Sequence, residues 1–266
     1  MRPLNIALLC LCACGRLGFD NEPVADPPTP QTPAPDQTSE PNGATKGPGA
    51  SLDLGMVAHL ELDGSLFDSI TGTDAECSGA ECPTFGAGVT GEAAQFDGAA
   101  TCVHMPWLAS WMPAQYTITA WIQPTSDSGP IVIREHDTSC PSPSLESSDR
   151  AVGFIGTDKA AGHEEGWSPT VLSMSTWTHV AIEYDGTNQS VYVDGACACA
   201  VQPSVPLDYT TYEVTVGCYP AASTWYTGAI DDVRIYNRTL EPAELALLAG
   251  ASNSTDCSSV CNTTQP

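Results

Sequence analysis

The fold is decided by three segments in the second half of the chain: Trp177-Thr-His-Val-Ala-Ile-Glu-Tyr-Asp-Gly186, Val191-Tyr-Val-Asp-Gly195 and Gly228-Ala-Ile-Asp-Asp-Val-Arg-Ile-Tyr-Asn-Arg238. In the first segment, every second residue falls on the same side of an extended chain, so two distinct faces are defined. Asp-Gly dipeptides end the first two segments, and such dipeptides form tight turns between strands. The pattern predicts short β-strands joined by turns.

Four more segments complete an ordered series. They are Val57–Ser69, a strand ending in an Asp-Gly turn and an Asp-Ser step; Gly91–Gly98, with the spacing Gly-x-Ala-x-x-Phe-Asp-Gly; Tyr116–Pro124, a strand; and Pro242–Leu248, a short helix. The series resembles the laminin-G-like, concanavalin A-like jellyroll domain of bacterial surface proteins. The resemblance implies an all-β antiparallel sandwich with a short C-terminal helix. Within it, we expect a Ser/Pro-rich loop at 137–150 and a strand at 170–174.

The N-terminus has the pattern of an export signal. Arg2 supplies a positive charge, and Leu4–Leu11 form an apolar run that is too short to span a bilayer as a helix. The run ends in Leu11-Cys-Ala-Cys14, which resembles the lipobox of bacterial lipoproteins. The resemblance implies a signal peptide over residues 1–13 and a lipid on Cys14; an ordinary secretory signal is the alternative. Glycine follows the cysteine, which resembles an outer-membrane address, so we expect a lipid-anchored protein at the cell surface.

The rest of the chain divides into three parts. Residues 14–52 are rich in proline and lack apolar periodicity, so they are predicted to form a disordered linker. Residues 53–250 are the predicted jellyroll domain, which is long enough to bury a core of its own. Residues 251–266 are predicted to be a Cys-containing C-terminal tail.

The chain is strongly acidic, with 32 Asp and Glu against 8 Lys and Arg and a formal net charge of -24. Such a surface repels phosphate backbones and anionic membranes, which argues against nucleic-acid binding and leaves the lipid as the route to a membrane. Solubility alone would also explain the acidity. We expect a monomer whose partner is a glycan or an extracellular protein.

The cysteines predict disulfides, because the protein is expected to be exported. Nine of the 12 cysteines remain once the signal peptide and the lipidated residue are set aside, namely Cys77, Cys82, Cys102, Cys140, Cys197, Cys199, Cys218, Cys257 and Cys261. The expected pairs are Cys77–Cys82, Cys257–Cys261 and Cys102–Cys140. Cys197 and Cys199 are expected on one side of one strand, where they cannot bond to each other, so one of them is expected to reach Cys218. One thiol then stays free.

Acidic residues near two turns and the last strand predict a calcium site. Jellyroll relatives commonly hold one structural Ca²⁺ between an early turn and the last strand, and the resemblance implies as ligands Asp63, Gly64, Asp97, Asp231 and Asp232. The alternation places Asp231 on the inward side with Val233 and Ile235, where a carboxylate needs a partner. Asp232 falls on the outward side with Arg234, and an ion pair on the surface is the alternative there.

Aromatic residues outside the strand pattern are the candidates for carbohydrate contacts, because sugars stack on exposed rings. These are Trp107, Trp167, Trp225 and Tyr226, of which Trp225 and Tyr226 lie beside the Asp-Asp strand. The alternative is that each ring covers the core.

The expected function is non-catalytic binding of a glycan or protein ligand outside the cell. A structural or display head without a small ligand is one alternative, and a glucanase-like hydrolase is another. Jellyroll glucanases carry their two carboxylates within a Glu-x-Asp-x-x-Glu run on one strand, and this chain has no such run. We therefore expect the protein not to be an enzyme.

The lipid anchor gives the first testable prediction. Replacing Cys14 by Ser should move the protein from the membrane pellet to the soluble fraction, because the thiol that carries the lipid is lost. Fractionation and mass spectrometry of the N-terminal peptide check this. Unchanged pelleting, with no lipid mass on the wild-type peptide, would contradict it.

Overall fold

The computed structural model describes residues 51–106, 114–134, 143–158, 162–203, 213–252, 255 and 257–263, except for the side chains of 155–158 and 162–164. The predicted signal peptide and nearly all of the predicted linker lie outside these residues, as do Trp107 and Cys140. No helix within them is long and apolar enough to cross a membrane.

The described part of the chain folds into strands and one α-helix. The elements are β1 Met56–Leu60, β2 Phe67–Asp68, β3 Thr73–Asp74, β4 Thr84–Ala87, β5 Glu92–Asp97, β6 Val103–Met105, β7 Tyr116–Pro124, β8 Gly129–Arg134, β9 Ser144–Ser148, β10 Ala151–Asp158, β11 Gly162–Val171, β12 Thr178–Tyr184, β13 Gln189–Val193, β14 Ala196–Val201, β15 Val214–Val216, β16 Cys218–Tyr219, β17 Thr224–Trp225, β18 Thr227–Tyr236 and α1 Pro242–Leu248. Single 3-10 turns lie at Gly79–Glu81 and Pro220–Ala222.

The strands form two main antiparallel sheets. The larger sheet has the order β14-β13-β12-β7-β18-β1-β2-β3, and β5 joins it on β18 with β4 as its own neighbour. The smaller sheet has the order β11-β10-β9-β8-β15-β6, and β16 pairs with β17 as a short hairpin. The prediction of an all-β antiparallel sandwich with a short C-terminal helix is confirmed.

The core lies between the two sheets and follows the alternation of the sequence. On β7, Ile118, Ala120 and Ile122 are buried, and Val180 and Ile182 occupy the neighbouring inward positions on β12. Burying one such aliphatic side chain contributes about 1.5–3 kcal/mol. A one-residue slip would turn all of them to the outer face of the sheet and out of the core, so this alternation fixes the register of the sheet.

Helix α1 covers part of the outer face of the larger sheet. The apolar contacts are made by Ala181, Tyr192, Tyr236, Leu240, Leu245 and Leu248. The helix begins with Pro242 in its first turn, and Glu241 and Glu244 form a reciprocal capping box. Gly250 follows its end in the left-handed conformation, with φ of 64°. The predicted helix is confirmed, including its start and stop signals.

Two predicted elements differ from the structure. Residues 144–148 of the expected loop at 137–150 form β9, which hydrogen-bonds to β8 and β10 in the middle of the smaller sheet. A hydropathy pattern does not predict this strand, because polar residues occupy most of its buried positions. Ser147 and Ser148 are buried beside the core residue Leu145. The strand expected at 170–174 is the end of the longer β11, which stops at Val171.

Four disulfides join cysteines of the described residues: Cys77–Cys82, Cys102–Cys218, Cys197–Cys257 and Cys199–Cys261. The first was predicted from its spacing and is confirmed. The predicted pairs Cys102–Cys140 and Cys257–Cys261 are wrong, as is the expected bond from Cys218 to Cys197 or Cys199. The long-range pairs depend on which strands the fold brings together. The spacing of the cysteines in the sequence does not show which strands those are.

A β-bulge explains why Cys197 and Cys199 differ from the prediction. Cys197 lies opposite Tyr192 and packs with the outer cluster, whereas Cys199 lies opposite Val191 inside the main core. The register of β13 and β14 shifts between these two pairs, so the two thiols reach opposite faces of the sheet. Each then bonds to a different cysteine of the tail.

The C-terminal tail crosses the edges of both sheets. The N–H of Ala200 on β14 donates to the carbonyl of Ser259 at 2.9 Å. Trp167 on β11 exchanges two backbone hydrogen bonds with Asn262, of 2.8 and 3.0 Å. The tail therefore occupies edges that would otherwise be free to pair with another chain.

The disulfides to the tail give a graded stability prediction. Replacing Cys197, Cys199, Cys257 and Cys261 together by Ala should lower the free energy of unfolding by about 4 kcal/mol or more, because the two cross-links close nearly the same long loop of the unfolded chain and both must be removed to open it. These pairs are 60 and 62 residues apart, against 5 for Cys77 and Cys82. Replacing Cys77 and Cys82 together by Ala should cost about 2 kcal/mol. Equilibrium urea unfolding checks this, and equal losses for the two variants would contradict it.

Candidate functional site

Two cavities lined by described residues carry polar and aromatic side chains. The first, which we call the Trp225 cavity, has a volume of about 360 Å³ and lies where β5 ends and β8 begins. Its lining residues are Gly98, Ser128, Gly129, Pro130, Glu146, Ser147, Ser223, Thr224 and Trp225. Most of its polar side chains are hydroxyls, and it contains one indole and one carboxyl.

Trp225 and Tyr226 point in opposite directions because they follow one another at the junction of β17 and β18. Trp225 is half-buried and lines the cavity. Tyr226 is fully buried and packs edge-on against Phe96, with ring centroids 6.2 Å apart. Gly129 permits the close approach of β8, since a Cβ there would lie 3.0 Å from the Cα of Tyr226. The prediction that Tyr226 contacts a ligand is wrong, whereas Trp225 is accessible.

Glu146 contributes the carboxyl of the Trp225 cavity. The residue lies on β9 opposite Pro130, and its Oε1 atom is buried without a hydrogen-bond partner. Burial raises the pKa of Glu146 to about 7, a hydrogen bond from Ser144 opposes the rise, and the nearby charge of Glu165 adds to it. Near neutral pH this carboxyl can therefore either donate or accept a hydrogen bond.

Trp167 does not take part in this cavity. Its side chain is fully buried, and it covers Gly153, where a Cβ would fall 2.2 Å from Cε3 of the indole. The indole N–H donates to Oε2 of Glu165. The predicted ligand contact at Trp167 is wrong, because residues expected in a loop form β11 and turn this ring onto the sheet. Trp107, the other predicted contact, lies outside the described residues.

The second cavity, which we call the Asp231 cavity, has a volume of about 300 Å³. Its lining residues are His59, Glu61, Asp63, Val89, Thr90, Trp121, Asp231, Asp232 and Arg234. It lies where β18 changes its neighbour, because β5 pairs with β18 up to Ile230 and β1 pairs with it from Val233 onward. The two neighbours leave a gap between them along this edge of the sheet.

A bulge on β18 turns both aspartates into that gap. The register of β18 against β7 shifts between Asp231 and Arg234, and Asp232 has the left-handed φ of 50°. Asp231 pairs with Trp121, which also lines the cavity. The expectation that Asp231 points inward with Val233 is therefore wrong, because the extra residue reverses the alternation.

Asp232 is the centre of a charged network between β1 and β18. Its Oδ1 atom lies 2.7 Å from Nε2 of His59 and 3.0 Å from Nε of Arg234. Burial alone would raise the pKa of Asp232, but the hydrogen bond from His59 and the charge of Arg234 lower it below its usual range. The ion pair with Arg234, one of the two predicted roles of Asp232, is present.

The other aspartates of this cavity accept backbone hydrogen bonds. Oδ2 of Asp231 accepts from the N–H of Val89 at 2.8 Å, which ties the β4–β5 turn to β18. Burial raises the pKa of Asp231 to about 6. Oδ1 of Asp63 accepts from the N–H of Glu92 at 2.6 Å. Both side chains therefore already hold turns in place.

The predicted calcium ligands are brought together only in part. Asp63, Asp231 and Asp232 line one cavity, but Asp97 pairs with Thr227, four residues along β18 from Asp231. That separation is about 13 Å at the rise of a β-strand. Three backbone N–H groups of its own turn donate to Asp97 and hold its pKa well below the usual range.

The described residues can be compared with what a metal site requires. Gly64, the remaining predicted ligand, closes the turn after β1 with a φ of 70°, and its N–H donates to the carbonyl of Leu62. No group of three or more His, Cys, Asp or Glu side chains is arranged to hold a metal ion in this part of the protein. Calcium binding stays a prediction, and Asp97 is not placed to share an ion with Asp231.

Comparison with known proteins identifies the superfamily to which this fold belongs. A family model described as the concanavalin A-like lectin/glucanases superfamily matches residues 97–246, which is more than half of the chain. No curated protein sequence matches the chain.

Solved structures with the same fold include binding domains of several kinds. Domain 4 of AbnA, a GH43 extracellular arabinanase from Geobacillus stearothermophilus, solved in complex with arabinotriose, is 20% identical with a TM-score of 0.61 and covers 73% of this chain and 98% of its own. The binding domain of Paraclostridial Mosquitocidal Protein 1 is 13% identical with a TM-score of 0.61, covering 73% of this chain and 52% of its own.

A third structure is the binding domain of Botulinum Neurotoxin DC in complex with SialylT. It is 13% identical with a TM-score of 0.57, covering 75% of this chain and 52% of its own. The chain thus spans about half the length of the toxin domains that it matches. At these identities the comparison shows the shared fold.

Buried carboxyls predict that the domain is more stable in mild acid. The pKa values of Glu146 and Glu183 are raised to about 7 and that of Asp231 to about 6, in each case mainly by burial. A carboxyl with a raised folded-state pKa stabilises the fold fully below its unfolded pKa and loses that stabilisation as the pH rises through the folded value. Burial lowers the pKa of His179 to about 4, and this group acts in the opposite direction. The carboxyls whose pKa is lowered, Asp97, Asp185, Asp232 and Glu244, also do so, but mainly below about pH 4.5, where unfolded carboxyls take up protons.

The melting temperature should therefore fall as the pH rises from about 4.5 to 7. Glu183→Gln should flatten this slope, because the amide keeps an acceptor for the N–H of Leu240 but cannot ionise. Scanning calorimetry at constant ionic strength checks both expectations. Comparing the wild-type protein with the variant separates the titration of Glu183 from general charge repulsion, which is nearly the same in the two proteins. A melting temperature that rises over this interval, or a slope unchanged in the variant, would contradict the assignment.

Proposed function

Because the chain belongs to the concanavalin A-like lectin/glucanases superfamily, we propose that it is an exported, lipid-anchored protein whose jellyroll domain binds a glycan without cleaving it. The predicted lipid on Cys14 would hold it at the outer membrane, and the proline-rich segment up to residue 52 would carry the domain away from the lipid. The binding site is the Trp225 cavity.

One observation carries this proposal: the half-exposed indole of Trp225 lies in a cavity whose side chains are otherwise small, hydroxylic or carboxylic. An indole face is a platform for the C–H face of a sugar ring, and hydroxyls with a carboxyl match the sugar's own hydroxyls. The volume of about 360 Å³ suits one or two sugar rings. Trp225 is also fixed in place, because it pairs with Cys218, which is bonded to Cys102.

The solved structures of the same fold support binding as the role. The arabinanase domain 4 was solved with arabinotriose, and the botulinum binding domain was solved with SialylT. These ligands belong to those proteins. They show that a domain of this fold can serve as a glycan-binding module beside other domains.

Cleavage is disfavoured by the composition of the cavity. A glycosidase needs two carboxyls that flank the scissile bond, one of them an acid and the other a nucleophile or base. Glu146 is the one carboxyl among the lining residues of the Trp225 cavity. The nearby Glu165 is held by the indole of Trp167 and is not among those residues.

The test is a glycan array followed by titration calorimetry, with the full chain made soluble by Cys14→Ser. Trp225→Ala should weaken binding of the array-selected glycan by about tenfold or more, the size of effect expected when a buried aromatic contact is removed. Trp121→Ala is the matched control, because Trp121 is also half-buried but lines the Asp231 cavity. Its affinity should stay within about twofold of the parent.

Two results would overturn the proposal. One is an array without any glycan bound above background. The other is binding that Trp225→Ala leaves unchanged while both variants melt like the parent. Release of reducing sugar from a bound oligosaccharide would instead contradict the non-catalytic part.

A further inference from the structure

Building on the proposed glycan binding, we infer that the Trp225 cavity selects uncharged oligosaccharides and rejects acidic ones, meaning those that carry sialic acid, uronic acid or sulfate. The selection is electrostatic. It follows from which charged groups the cavity contains and from where the protein uses its few cationic side chains.

The cavity lining offers an anion no cationic partner. None of its nine residues is Lys, Arg or His, and its one ionisable side chain is the carboxyl of Glu146. Recognition of a carboxylate or sulfate normally uses an arginine fork or a lysine, because a charged donor offsets the loss of hydration. The hydroxyls of Ser128 and Thr224 can bond to a neutral sugar equally well without that requirement.

Three of the four arginines of the described residues are paired or buried. Arg234 pairs with Asp232 at 3.0 Å, and Arg238 pairs with Glu244 at 2.7 Å. Arg134 is 4% exposed. The fourth, Arg150, is half-exposed and lies 3.4 Å from Asp127, the residue before Ser128 of the lining, so that carboxylate offsets its charge.

One carboxyl lies in the cavity and another directly precedes one of its lining residues. Asp97 precedes Gly98 of the lining, and the N–H groups of its turn keep it ionised by holding its pKa far below the usual range. Glu146 lies in the cavity with Oε1 buried and unpartnered, and near neutral pH it is partly ionised. An anionic sugar would meet like charge at Asp97, and at Glu146 wherever that carboxyl is ionised, within the field of a chain whose net charge is -24.

The experiment compares matched pairs of probes on the Cys14→Ser chain. The pairs are galactotriose against trigalacturonic acid, and lactose against 3′-sialyllactose, with arabinotriose as a further neutral probe. At low salt, the acidic member of a pair should bind at least about tenfold more weakly than the neutral one. The ratio should shrink at 0.5 M NaCl, because salt screens repulsion between exposed charges.

A variant that adds charge makes the test independent of loss of folding. Thr224→Lys places a cation on the exposed β17 at the cavity, and it should bring the acidic probe to within about twofold of the neutral one. Thr187→Lys is the control with the same change in net charge. It lies in the turn between β12 and β13, at the opposite end of β7 from the cavity, and it should leave the ratio unchanged.

The outcomes separate the two proposals. If acidic probes bind as tightly as neutral ones and that binding depends on Trp225, the selectivity is overturned while glycan binding stands. If Thr187→Lys changes the ratio as much as Thr224→Lys, the discrimination comes from net charge and the cavity assignment is overturned. If none of the probes nor any arrayed glycan binds, the proposed function fails together with the inference.

Discussion

Strand β18 is the element on which the arrangement of both cavities depends. Along one edge it pairs with β7, and along the other it pairs first with β5 and then with β1. Only Tyr226 separates its start from Trp225, so the pairing with β5 and β7 limits where that indole can lie. Its bulge at Asp232 opens the gap between β5 and β1. A strand that pairs on both edges cannot shift its register without disturbing the whole larger sheet, so the two sites are held rigidly relative to it.

Local rules predict most of this sandwich from the sequence. Alternation predicted β7 and β12, and Asp-Gly turns predicted the connections on either side of β13. Pro242 and Gly250 bounded the helix correctly. These features are encoded by neighbours in the chain, so a sequence carries them in readable form. Trp225 was also identified correctly as an accessible ring, because it lies outside the strand alternation.

The features that the sequence did not reveal all depend on contacts between distant residues. Ser144–Ser148 is a central strand whose serines are buried by its neighbours in the sheet, so its composition suggests a loop. Bulges reversed the expected direction of Asp231 and separated Cys197 from Cys199, and one inserted residue leaves no mark in an alternation pattern. Glu146 was not identified as a site residue for the same reason. Its burial and its raised pKa arise from strands that are remote in sequence.

The acidity of the chain affects both the stability of the domain and the kind of sugar that it can bind. Buried carboxyls cost the fold stability at neutral pH, while the described arginines pair with carboxylates or are buried. A cavity of hydroxyls, one indole and one carboxyl in such a surface is suited to neutral sugars.

The most direct measurement is an NMR titration that follows the indole N–H signals of the six tryptophans as a neutral, array-selected oligosaccharide is added. Each signal is assigned by Trp→Phe replacement. The account predicts that the Trp225 signal shifts most and the Trp121 signal stays in place. A dominant shift at Trp121, or no shift at Trp225 under saturating ligand, would contradict it.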